Sequence, residues 1–87
     1  MKELYMRFGD YIKKKRMYDP REITLSQMSK QLGISLSYLS DIENKRKRPF
    51  EAEKIEIFAD FLGLSEDERT RMYDLASREN GEVPSDI

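Results

Sequence analysis

Two runs of four consecutive cations stand out in the chain, Lys13-Lys14-Lys15-Arg16 and Lys45-Arg46-Lys47-Arg48. Cations packed this densely attract anions, above all a polyanion, unless their position gives them another task. Groups suited to catalysis are scarce. The chain has no histidine and no cysteine, which removes the commonest metal ligand and general base together with thiolate sites and disulfides. Glycines 9, 33, 63 and 81 are too scattered for a G-x-G-x-x-G or Walker loop. The densest carboxylate cluster, Glu66-Asp67-Glu68, falls at a predicted helix start, where capping and the helix dipole already account for it. The expectation is therefore no enzyme activity, with no catalytic residue, metal or cofactor.

The charge is divided along the chain. Residues 1–50 hold twelve Lys/Arg against six Asp/Glu, a net +6, and residues 51–87 hold four against eleven, a net −7. The overall charge of −1 hides a basic half that can attract an anion and an acidic half that repels it. At 87 residues and 10.4 kDa the chain makes one domain. With 38% charged residues and a mean hydropathy of −0.80, it has a heavily solvated surface. It contains no apolar run of the ~18 residues that a membrane span needs and no signal peptide, so a cytoplasmic protein is expected.

Five helices are predicted to position these groups. Leu4, Phe8, Tyr11 and Ile12 recur at helical spacing from about Glu3 to Met17, ended by Asp19-Pro20. Lys13–Arg16 sits late in this helix, where cations suit the C-terminal dipole. Thr24-x-x-Gln27 is a capping box for a second helix, with Leu25, Met28 and Leu32 on one face and Gly33 as its stop. Ser35 caps a third helix that Pro49 confines to about Asn44. The fourth, about Glu51–Leu62, carries Ile55, Ile57, Phe58, Ala59, Phe61 and Leu62 over an arc of roughly 200°, wider than a surface helix needs. Ser65-x-x-Glu68 opens a fifth, with Met72, Leu75 and Ala76 inward, to about Glu79. Residues 1–80 form the domain, and Gly81–Ile87 an irregular tail.

Helical phase sorts the third helix by face. Tyr38, Leu39 and Ile42 share an inward arc, whereas Leu36, Ser37, Ser40, Asp41 and Asn44 share an outer one. The outer face is short and mostly polar, so another surface can approach closely; a merely solvated face is the alternative. Two capped helices joined by a turn at Gly33 form a helix-turn-helix.

From Thr24 to Asn44, and most specifically through L-G-I-S-x-S-Y-L-S-D-I-E-N (Leu32–Asn44), the chain resembles the phage Cro and repressor type, or XRE-like, helix-turn-helix family. The resemblance extends over about residues 3–79. It implies an all-α fold, a compact five-helix bundle in which helices two and three form the motif and the third reads the DNA major groove. It also implies a dimeric transcriptional regulator acting on double-stranded DNA, most simply a repressor. In that frame base readout falls to Leu36, Ser37, Ser40 and Asp41. Phosphate contacts fall to Thr24, Ser26, Ser35, Asn44, Lys45, Arg46, Lys47 and Arg48, and Tyr38 stays in the core. The chain departs from the family twice: Leu25 replaces a common Gln, and Lys45 replaces a common Gly whose left-handed turn Asn44 could supply. The overwide fourth helix, with Met72 and Tyr73, predicts a homodimer. The alternative function is an antitoxin or adaptor whose acidic 51–79 half binds a protein partner.

Overall fold

The computed structural model describes residues 6–81. Five helices follow one another: α1 (Phe8–Met17), α2 (Leu25–Leu32), α3 (Leu36–Glu43), α4 (Ala52–Leu62) and α5 (Glu66–Gly81). Helix α3 packs against α1 and α2, α4 against α2 and α5, and α5 returns to α1. The fold is all-α, with no strand among the described residues.

The start and stop signals act as their chemistry requires. The Thr24 hydroxyl accepts from the Gln27 N–H (3.1 Å) while the Gln27 side chain accepts from the Thr24 N–H (2.8 Å). Ser65 and Glu68 repeat this exchange at the head of α5 (3.2 and 2.8 Å). Each box satisfies two amide groups that a helix start leaves without intrahelical partners. Gly33 closes α2 in the left-handed region (φ 71°), which lets the Ile34 N–H reach back to the Ser29 carbonyl (3.0 Å).

The core is built from Phe8, Ile12, Met28, Leu32, Leu39, Ile42, Phe50, Ile55, Phe58 and Met72. Phe50 joins its two sides, meeting Phe8 edge-on (centroids 5.1 Å apart) and Phe58 at a tilt (6.2 Å). Ile57, Phe61, Leu62 and Tyr73 pack half-buried at its margin. Met72 is wholly enclosed by its own chain, so it has no surface to give to a second subunit.

Four expectations need correction. Helix α1 begins at Phe8 rather than near Glu3: Arg7 is extended (φ −98°, ψ 169°), and the Asp10 carboxylate accepts from the Arg7 N–H (3.1 Å). Leu4 lies outside the described residues. At the other end Gly81 still belongs to α5, and the rest of the expected tail lies outside them. Tyr38 is not in the core but 37% exposed. Lastly, Arg16 does more than face the helix dipole. It is buried, and its Nε and Nη2 donate to the two Glu43 oxygens (2.8 and 2.9 Å) while Nη1 donates to the Ile23 carbonyl (2.9 Å).

That ion pair links α1, the end of α3 and the strand of chain entering α2. About two turns earlier α1 touches the end of α3 through Gly9, where a β-carbon would overlap the Ile42 carbonyl and sit 3.0 Å from that of Glu43. Substituting Glu43 alone by Ala strands a buried guanidinium and should cost about 3–5 kcal/mol in denaturant unfolding, whereas a packed apolar pair at 16 and 43 should cost far less. Gly9→Ala should lower stability by about 1–3 kcal/mol through forced separation of α1 from α3, read from the same denaturant unfolding curves.

Candidate nucleic-acid interface

Eight residues of α3 present a sharply sorted surface. Leu39, Ile42 and Glu43 are buried, Ser40 and Asp41 are half-buried, and Leu36 and Ser37 are exposed, Leu36 to 47%. Leu39 and Ile42 fill the core, and Glu43 is held by Arg16, so the helix cannot rotate about its axis without breaking the bidentate pair. The outward residues are short apart from Leu36, as close approach to another surface requires. Tyr38 stands at the edge of this face, beside a cleft that also touches Pro49 and Lys54. It extends the exposed surface of α3 toward the loop.

Hydroxyls occupy the starts of both motif helices. Ser35 caps α3, accepting from the Tyr38 N–H (3.0 Å), and Thr24 caps α2; each hydroxyl proton remains available to a further acceptor. Ser26 is exposed one residue into the first turn of α2. Asn44 closes α3 and turns its amide nitrogen back onto the Ser40 carbonyl (3.0 Å) and hydroxyl (3.3 Å). Its backbone (φ −94°, ψ 10°) is not left-handed. Lys45 itself adopts that conformation (φ 63°), taking the shape expected of Asn44.

The basic loop is less free than its sequence suggests. The Lys45 ammonium lies 2.7 Å from an Asp10 oxygen on α1, and Arg46 lies 3.4 Å from Asp41 on α3. Burial works to raise the Asp10 carboxyl, but the Lys45 ammonium and the Arg7 N–H outweigh it and hold the group below its ordinary value. Among the described residues no ion pair engages Lys47 or Arg48, and both are exposed. The four cations therefore divide into a paired half and an open half. Sequence spacing could not reveal this, because Asp10 is 35 residues from Lys45. Arg16 left a signal: it continues the four-residue spacing of Phe8 and Ile12 on the inward side of α1.

Elsewhere the outer surface carries ordinary ion pairs, such as Lys15 with Glu68 (2.7 Å). Glu56 joins Arg69 and the Tyr73 hydroxyl across α4 and α5. Among the described residues no acidic cluster could hold a metal ion, and no helix is long and apolar enough to cross a membrane.

A family model described as helix-turn-helix matches residues 12–69, more than half of the chain and the whole of α2, α3 and α4. No curated protein matches the chain in sequence.

Leu36 and Ser37 are exposed and Asp41 is half-buried against Arg46, so truncation to Ala should shift stability by no more than about 0.5 kcal/mol for the first two and about 1 kcal/mol for Asp41. Thermal melts of the three variants check this, and a larger loss in any one would place that side chain in the fold rather than on its surface.

Proposed function

Because this chain belongs to the helix-turn-helix family of DNA-binding regulators, of the phage Cro and repressor type, we propose that it is a sequence-specific, non-enzymatic transcriptional repressor of bacterial or phage type. The observation that carries this reading is the outer face of α3: short polar side chains on a helix locked in rotation, followed at once by a cationic loop. A helix with such a face fits the major groove, where base edges display their donors and acceptors.

Within that reading the roles divide by chemistry. Ser37 and Ser40 can donate or accept at base edges, Asp41 can accept from a cytosine amino group, and Leu36 can pack on a thymine methyl. None of these is the bidentate arginine–guanine or glutamine–adenine contact that gives the strongest discrimination. DNA shape and the spacing of two bound copies therefore share in specificity. Thr24, Ser26 and Ser35 bring hydroxyls to the backbone phosphates, and the open N-terminal amides of α2 favour an anion there. Lys47 and Arg48 meet phosphate directly. Lys45 and Arg46 do so only as Asp10 and Asp41 release them, and Asn44 only as its amide turns from Ser40.

A homodimer would carry two recognition helices to half-sites about 34–36 Å apart. The half-buried apolar margin of α4, with Ile57, Phe61 and Leu62, is the surface suited to that contact. Such a repressor works in the cytoplasm, where its operator lies.

Paired titrations of a cognate and a random duplex at matched salt test this function. Alanine at Leu36, Ser37 or Asp41 should weaken cognate binding by about 1–3 kcal/mol wherever a base contact is lost; random DNA should stay bound as before by the Leu36 and Ser37 variants and somewhat more tightly by the Asp41 variant, which frees Arg46. If all three variants keep full discrimination, α3 does not read bases. An adaptor or antitoxin that binds a protein through its acidic 51–79 half then becomes the better account.

A further inference from the structure

We propose that Asp10 is an internal counter-anion to the DNA-binding loop, holding Lys45 away from phosphate and so limiting how much of the loop's charge reaches DNA. This rests on the DNA-binding function above and specifies one determinant of its strength.

The geometry makes the Asp10–Lys45 contact more than a passing surface pair. Asp10 is fixed from two sides, since its Oδ2 accepts from the Arg7 N–H (3.1 Å) while its Oδ1 takes the Lys45 ammonium (2.7 Å). Lys45 is fixed as well: its backbone sits at φ 63°, with its N–H donating to the Ile42 carbonyl (3.1 Å). Residues with a β-carbon seldom adopt that conformation, and a glycine there would relieve the strain but lose the cation. The chain thus places a lysine at a costly backbone position and meets it with a carboxylate from another helix. The next residue differs in degree, because Arg46 is 69% exposed and only 3.4 Å from Asp41. Lys47 and Arg48 follow without ion-pair partners among the described residues. The loop is graded from a held cation to open ones.

The consequence is electrostatic. A free cation that meets a phosphate releases condensed counterions, which gives binding its salt dependence. A cation already neutralised by its own protein adds little to that release, and the displaced carboxylate then faces the phosphate with like charge.

The test uses the full chain and a random-sequence duplex, with binding measured across a salt series. Asp10→Asn keeps an oxygen for the Arg7 N–H while removing the charge. It should bind the duplex about 2–5-fold more tightly per chain, the worth of an exposed ion pair. Its plot of log K against log salt should steepen by about 0.9 per chain. Lys45→Gly should flatten the wild-type slope by well under about 0.9 per chain, and in that background Asp10→Asn should bring a clearly smaller gain than in the wild type. Equal or weaker binding by folded Asp10→Asn would overturn the proposal. So would the same gain with and without Lys45, which would signify only a general loss of negative charge. The Lys45→Gly slope decides independently should Asp10→Asn fail to fold: a loss of about 0.9 per chain would mean that Lys45 already contacts phosphate. Wild-type protein with no affinity for any duplex at low salt would overturn the DNA-binding function as well, whereas a failure confined to the variants overturns only the role of Asp10.

Discussion

The buried pair of Arg16 and Glu43 sets the position of the α3 face proposed to meet DNA. Both side chains are withdrawn from water, at 10% and 3% exposure, so each has lost most of its hydration. Two parallel hydrogen bonds between them and a third to the Ile23 carbonyl offset that loss. Apolar residues of the same volume could stabilise the core as well, but they would tolerate sliding and rotation. A forked guanidinium on a planar carboxylate does not. Gly9 tightens the same constraint by letting the backbone of α1 rest on the last turn of α3. The outer face of α3 is therefore aimed by α1, and the entry to α2 is tied to the same guanidinium.

Local chemistry made much of this fold legible. The Thr24 and Ser65 capping boxes, Gly33 and Gly63 are short-range signals whose partners lie within a few residues, and helix boundaries follow from them. The core positions of α4 and α5 were likewise readable from spacing. What escaped detection depends on partners distant in sequence. Tyr38 lies at the edge of the inward arc and lines a cleft with Pro49 and Lys54, residues well beyond its own helix. The start of α1 slipped to Phe8 because the carboxylates that satisfy it come from Asp10 and from Glu79 of α5. For the candidate interface, helical phase separated the outer residues of α3 from Leu39 and Ile42. It could not show that half of the cationic run is already paired.

That pairing changes the meaning of the charge division along the chain. Seen as a sum, the first fifty residues carry a surplus of six positive charges. Three of the six acids already subtracted in that sum, Asp10, Asp41 and Glu43, are matched to particular cations within the fold, one for rigidity and two at the loop. The field offered to DNA comes from what is left exposed, so net charge is a poor guide to the strength of the interface.

The head of α1 has a bearing on how the chain opens and closes. Glu79 accepts from the Phe8 N–H at 2.6 Å and pairs with Arg7 at 3.3 Å, so residues more than seventy apart in sequence meet there. Such a contact forms only when a long stretch of chain is brought together, at a cost in loop-closure entropy. The same contact is the first to suffer when the last turns of α5 fray. Amide exchange at the start of α1 and at the end of α5 would then rise together, as one cooperative unit, while α2 and α3 stay protected. The two ends of the domain share a single seam, and through Gly9 and Asp10 that seam reaches the end of α3 and the loop after it.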